Sequence, residues 1–118
     1  MDNGTDFEKR LAKIEDVSFG IGGYQDACIG LNVVLAGKGW GVCSSKTAWD
    51  ANIIKHSEYS KWTEEDRSRQ YAEIVRYVSD LLCEAKVNTV NDLKGKPVEV
   101  TFDKSGTLQG WRILTEVL

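Results

Sequence analysis

The stretch TEEDRSRQYAEIVRYVSDLLCEA, residues 63–85, carries the strongest structural pattern in the chain. Thr63 followed three residues later by Asp66 is a capping box, in which each side chain satisfies a backbone N–H group at a helix start. Apolar side chains then recur at helical spacing, at Tyr71, Ile74, Val75, Val78, Leu81, Leu82 and Ala85. The stretch therefore predicts an amphipathic helix of about six turns whose apolar face covers a hydrophobic surface.

Three strands are predicted before this helix. The first shows apolar residues alternating with small ones at strand period, at Val17, Phe19 and Ile21. The second spans residues 27–36, which are apolar and β-branched in their second half. The glycines of the sequence GKG at 37–39 indicate a tight turn, so residues 40–45 should return as an antiparallel third strand.

Two segments before the helix have weaker patterns. Residues 6–14 place Phe7, Leu11 and Ile14 at helical spacing, which predicts a short N-terminal helix. The alternative for residues 1–15 is a flexible lead-in to the first strand. Residues 46–60 show no period and mix polar with aromatic side chains, so they are interpreted as a long loop, with a short strand near Ile53 as an alternative.

Two strands are predicted after the helix. Val98, Val100 and Phe102 alternate with polar residues, as in a half-buried strand. A turn at 103–106 leads into a last strand over 107–118, with a bulge at Gly110. The 118 residues therefore predict a single α+β domain with a mostly antiparallel sheet of about five strands, in the order (α)βββαββ, and one long helix on one face.

Composition and motifs exclude several classes of function. The formal net charge of −3 and the absence of clustered Lys and Arg argue against general nucleic-acid binding, and no apolar run is long enough for a membrane span. Cys28, Cys43 and Cys83 form no CxxC pair, which predicts three reduced, unbridged thiols in a cytoplasmic protein and no metal site. No pair of carboxylates suggests acid–base catalysis, and no cofactor motif fits, so we expect a protein that is not an enzyme.

Some residues have chemistry that exceeds what the fold needs. Adjacent glycines permit close backbone approach, tryptophan and tyrosine rings can stack on a base, and arginine can grip a phosphate. We expect a ligand site formed by Gly22, Gly23, Tyr24, Gln25, Asp26, Trp49, Lys61, Trp62, Arg67 and Arg112. The alternative is that the glycines form a turn or bulge in the sheet and the two tryptophans fasten the loop to the domain.

Five strings in the chain resemble an uncharacterised family of small proteins encoded by phages and prophages. They are FGIGGYQDA at 19–27, GKGWGV at 37–42, KWTEEDR at 61–67, KGKPVEVTF at 94–102 and WRILTEV at 111–117. The strings span most of the chain after residue 18, but no catalytic or binding role is attached to any of them. The resemblance implies a viral accessory protein that acts against host defence in the bacterial cytoplasm.

These observations lead to one functional hypothesis with two alternatives. The first is a sponge that binds and sequesters a nucleotide-derived immune signal without catalysis, as a homo-oligomer with the site between protomers. The alternatives are a protein–protein inhibitor of a host defence enzyme or nuclease, in the manner of anti-CRISPR proteins, and a virion or replication accessory protein. A sponge needs a pocket with aromatic and basic walls, whereas an inhibitor needs an exposed patch.

Overall fold

The computed structural model describes residues 7–22, 28–49 and 63–117, which form one antiparallel five-stranded sheet and one long helix. The sheet order is β3-β2-β1-β4-β5. The strands are β1 Glu8–Gly22, β2 Cys28–Gly37, β3 Trp40–Trp49, β4 Pro97–Phe102 and β5 Leu108–Ile113; the helix α1 is Glu64–Ala85, and short 3₁₀ turns cover Val90–Leu93 and Thr115–Val117. The predicted α+β class and the order βββαββ are confirmed.

The short helix predicted within residues 6–14 is wrong, because residues 8–14 belong to β1. Ala12 and Ile14 are buried, whereas Leu11 is 70% exposed, so burial follows the strand period and not the helical one. Residues 8–13 pair with β4, which lies more than eighty residues away in sequence. This long-range pairing outweighs the local helical spacing of the apolar residues.

β1 joins the two halves of the sheet. Its first half pairs with β4, and residues 13–22 pair with β2. Between these halves the register shifts at Glu15, which is an extra residue between the paired Ile14 and Asp16. Such a bulge bends a strand and increases its twist. The two halves of β1 can therefore pair with different strands.

The sheet curls so that its two edge strands meet. The Trp111 indole N–H on β5 donates a hydrogen bond to Ser44 Oγ on β3, at 3.1 Å between heavy atoms. α1 packs on the sheet and contacts β2, β3 and β5. Its buried apolar residues are Ile74, Leu81 and Ala85, and the last two belong to a core whose largest fully buried members are Ile14, Leu31, Leu35, Leu93, Val33, Val98 and Val100.

The start of α1 follows the sequence prediction. Thr63 Oγ1 accepts a hydrogen bond from the Asp66 N–H at 3.1 Å, and Asp66 Oδ2 accepts one from the Thr63 N–H at 3.0 Å. The backbone hydrogen bond from Thr63, with the side chain of Arg69, lowers the pKa of Asp66. Both halves of the predicted capping box are thus present.

β3 continues further than predicted. The two-residue turn Lys38-Gly39 is as expected, with Gly39 at a φ of 80° that a glycine adopts without strain. The strand then extends through Trp49 instead of ending at Ser45, because Ala48 is buried opposite Ile29. Residues 50–60, including the alternative strand near Ile53, lie outside the described residues.

β5 ends earlier than predicted. Its last paired residue is Ile113, opposite Val98, and the chain then turns into the 3₁₀ segment Thr115–Val117. The Leu114 N–H still donates to the Pro97 carbonyl, but Pro97 has no N–H with which to continue the ladder. The predicted bulge is present beside Gly110, where Gln109 is the extra residue in the register with β4.

Candidate functional site

Two of the predicted ligand-binding segments meet at one end of the sheet. Gly22 at the end of β1 pairs with Cys28 at the start of β2, and Cys28 pairs with Trp49 at the end of β3. Three adjacent strands therefore finish together at this point, which we call the Gly22 end. The predicted residues Gly23, Tyr24, Gln25, Asp26, Lys61 and Trp62 lie outside the described residues, and of Trp49 only the backbone is described.

The first turns of α1 also reach the Gly22 end. Gln70 on the helix lines a cleft of about 220 Å³ together with Cys28, Thr47 and Ala48 from β2 and β3. Next to Thr47 on β3, Lys46 has its Nζ 3.9 Å from Oε2 of Glu73 on α1. The cleft thus offers an amide, a thiol and a hydroxyl beside a cation.

Gln70 and Thr47 are not among the site residues predicted from the sequence. A signal for Gln70 was present, because it precedes the buried Ile74 by four residues and therefore shares its helix face. Because burial of a polar group is costly unless it forms hydrogen bonds, a polar residue in the buried stripe of an amphipathic helix indicates polar neighbours. Thr47 carries no such signal, since it lies in a segment without a recognisable period.

Arg67 is buried at the start of α1 and paired with Glu64. Only 5% of Arg67 is exposed, and its Nη1 donates to both Glu64 carboxylate oxygens, at 3.0 and 3.2 Å. Burial of a charge is costly unless an opposite charge compensates it. Arg67 thus holds the first turn of α1, and a phosphate would have to compete with Glu64 for its guanidinium.

Arg112 is not brought to the Gly22 end. It lies on β5 and donates to Glu99 on β4 and to Glu116 in the last turn. Glu99 pairs with Leu11, which is eleven residues before Gly22 on β1, or about 36 Å of extended strand. Of the predicted residues that the structure describes, Gly22 and Trp49 therefore lie at the Gly22 end and Arg112 lies at a distance from it.

No described residue packs closely enough against β1 to require glycine at positions 20 and 22. A Cβ built on Gly20 or Gly22 meets no described atom within 4 Å, and neither glycine has a positive φ. Gly30 on β2 is different, because a Cβ there would come within 2.2 Å of the Lys46 carbonyl oxygen. Among the described residues, nothing therefore lies over the Cβ positions of Gly20 and Gly22.

The same part of β1 exposes large apolar side chains. Phe19 is 49% exposed and Ile21 is 52% exposed. Among the described residues, β1 beyond Asp16 pairs with β2 only. The Gly22 end thus combines exposed apolar side chains with two glycines whose Cβ positions no described atom approaches.

Comparison of the chain with known protein families, curated proteins and solved structures finds no significant match. In the described ranges no three His, Cys, Asp or Glu side chains are placed to hold a metal ion. No helix there is long and apolar enough to cross a membrane.

Proposed function

We propose that this protein is a phage accessory protein that counters bacterial immunity by sequestering a nucleotide-derived signal without catalysis. The observation that carries the proposal is the convergence of Gly22, Trp49 and the first turns of α1 at one end of the sheet. The place of action would be the bacterial host cytoplasm. A homo-oligomer would place the ligand between protomers.

The open backbone at the end of β1 supports contact with a ligand. Glycine loses more conformational freedom on folding than other residues, so it weakens a strand unless it serves a purpose there. In the part of the chain that the structure describes, neither packing nor positive φ requires glycine at positions 20 and 22. Close approach of a ligand to the strand is a purpose that explains both.

Aromatic residues flank the described parts of this end in sequence. Tyr24 follows Gly22 by two residues, and Trp62 directly precedes Thr63 at the cap of α1. A base stacked on an aromatic ring gains about 1–3 kcal/mol. Rings from these two segments, with Trp49, would supply the stacking surface for a nucleotide.

Positive charge at the same end would hold the phosphates. Lys46 is partly exposed, and its ion pair with Glu73 is long at 3.9 Å, so it can turn to an anion at little cost. Lys61 is the second candidate from the sequence. Arg67 would act by positioning the first turn of α1, because Glu64 already occupies its Nη1.

A thermal-shift panel of cyclic nucleotides and ADP-ribose-type nucleotides tests the proposal. A ligand present at 100 times its Kd should stabilise the folded state by about 2.7 kcal/mol. Denaturing the complex should return the nucleotide unchanged, whereas an enzyme would return a product. Failure of every nucleotide to shift the unfolding temperature would contradict the proposal.

Single substitutions then locate the ligand. Tyr24→Ala and Trp62→Ala should each weaken binding by roughly 1–3 kcal/mol while the protein stays folded. Arg112→Ala should leave binding unchanged, because Arg112 lies away from the Gly22 end. Parent-like affinity in the folded Tyr24→Ala and Trp62→Ala variants would place the site elsewhere.

The second candidate function is inhibition of a host defence enzyme or nuclease by direct contact. The exposure of Phe19 and Ile21 favours it, because adjacent exposed apolar side chains often mark protein–protein contacts. If the protein inhibits such an enzyme through this surface, Phe19→Ser should abolish the inhibition. The same variant should retain nucleotide binding if the first proposal holds, since serine removes the apolar surface and keeps the backbone open.

A further inference from the structure

A second cleft, larger than the one at the Gly22 end, lies between α1 and β5. It has a volume of about 480 Å³, which falls within the usual range for small-molecule sites. Its walls are formed by Tyr77, Asp80, Leu81, Cys83 and Glu84 of the helix and Trp111 of the strand. The proposed function does not use this cleft.

The two carboxylates of this cleft lie where negative charge destabilises the folded protein when no ligand is bound. Asp80 and Glu84 lie at i and i+4 on the helix, where like charges repel. Glu84 also lies in the last turn of the helix, where the dipole disfavours negative charge, and this turn has no basic residue. A positive ligand between them would relieve both effects.

Within the described ranges no cation is paired with either carboxylate. Arg76, one turn before Asp80, and Lys86, two residues after Glu84, form no ion pair with them. Among the described residues, Asp80 and Glu84 share this with Glu15, Asp92 and Asp103, whereas Arg or Lys partners are present for Glu8, Asp16, Glu64, Glu65, Asp66, Glu73, Glu99 and Glu116. Among the described residues, the cleft therefore holds two carboxylates without an Arg or Lys partner.

The other walls of the cleft are aromatic and apolar. Trp111 is half-buried, and its ring is oriented by the hydrogen bond from Nε1 to Ser44 Oγ. Tyr77 is half-buried beside it, and burial, with a smaller contribution from the Glu84 charge, raises its pKa. Aromatic faces attract alkylammonium groups and pack well against methylene chains.

The geometry points to an aliphatic diamine or polyamine as the ligand of this cleft. The helix advances about 5.4 Å per turn, and a chain of three or four methylene groups separates two amines by a similar distance. One ammonium group can therefore meet Asp80 and the next can meet Glu84, while the methylene chain lies against Leu81 and Trp111. A metal ion fits less well, because no third ligand joins the two carboxylates among the described residues.

Isothermal titration calorimetry with putrescine and spermidine at low salt tests this inference. The parent protein should bind one molecule of each per cleft, more weakly as salt rises. The double variant Asp80→Asn/Glu84→Gln should lose at least about tenfold in affinity. n-Butylamine, with a single ammonium group, should also bind at least about tenfold more weakly than putrescine.

A matched control separates a specific site from general attraction to an acidic surface. Glu15→Gln/Glu65→Gln changes the net charge equally and should keep the parent affinity, because both residues lie outside the cleft. Circular dichroism should show both double variants folded, and Asp80→Asn/Glu84→Gln should unfold at a temperature no lower than the parent without polyamine. Absence of binding to the parent, equal losses in both double variants, or butylamine binding as tightly as putrescine would each overturn the inference.

Discussion

At the scale of single residues, the clearest electrostatic feature is the group formed by Arg112, Glu99 and Glu116. Arg112 Nε donates to Glu99 at 3.1 Å, and its two terminal nitrogens donate to the Glu116 carboxylate at 3.0 and 2.9 Å. Hydrogen bonds from Arg112 lower the pKa of Glu116 to about 2. Since exposed ion pairs contribute little to stability, this group serves mainly to fix the last turn against β4 and β5.

This feature predicts a pH response for Glu116. Its pKa is lower in the folded than in the unfolded state, so its stabilising contribution is present above the ordinary value of 4.5 and is lost as the pH falls towards about 2. Arg112→Gln should raise the Glu116 pKa towards 4.5, as measured by NMR titration of the side-chain carboxyl. Arg69→Gln is the control and should leave the Glu116 pKa unchanged. An unaltered Glu116 pKa in Arg112→Gln would show that Arg112 is not the cause of the shift.

At the scale of elements, α1 shows how far a hydrophobic pattern predicts burial. Ile74, Leu81 and Ala85 are buried as expected, but Leu82 is only half-buried and Val75 is 66% exposed. The predicted stripe is therefore wider than the face of α1 that is buried. The capping box needed no such tertiary information, since both partners lie within one turn.

The helix makes a prediction about stability. Leu81→Ala should lower the free energy of unfolding by roughly 2–5 kcal/mol, because it leaves a cavity in the core. Leu82→Ala should cost less, since its side chain is partly exposed, and Val75→Ala should change stability by no more than about 0.5 kcal/mol. Urea denaturation measures all three. A loss at Val75 as large as that at Leu81 would mean that the helix presents a different face to the sheet.

Element boundaries were predictable where local signals set them and not where distant partners did. The hairpin at Gly39 and the turn ending at Gly106 follow from glycines at positive φ. The strand identity of residues 8–14 depends on β4, and the end of β5 depends on Pro97 in the neighbouring strand. Neither partner can be inferred from the segment itself, so a helix and an overlong strand were predicted.

At the scale of the whole molecule, the curl of the sheet determines which site residues meet. The sequence placed Gly22, Trp49, Arg67 and Arg112 in one hypothesis because of their chemistry alone. The pairing register of β1, β2 and β3 brings Gly22 and Trp49 together, and the first turns of α1 lie beside this end of the sheet. Arg112 lies apart because β5 pairs with β4 beside the first half of β1, and sequence spacing contains no information on that arrangement.

The most direct test of the central proposal is nucleotide binding by Gly22→Val, compared with Gly110→Val. A Cβ at either glycine meets no described atom within 4 Å, and valine suits a strand, so both variants should fold. With the nucleotide identified by thermal shift, Gly22→Val should lose binding because its side chain fills the space over β1, whereas Gly110→Val should bind like the parent. Undiminished binding by a folded Gly22→Val protein would contradict the account.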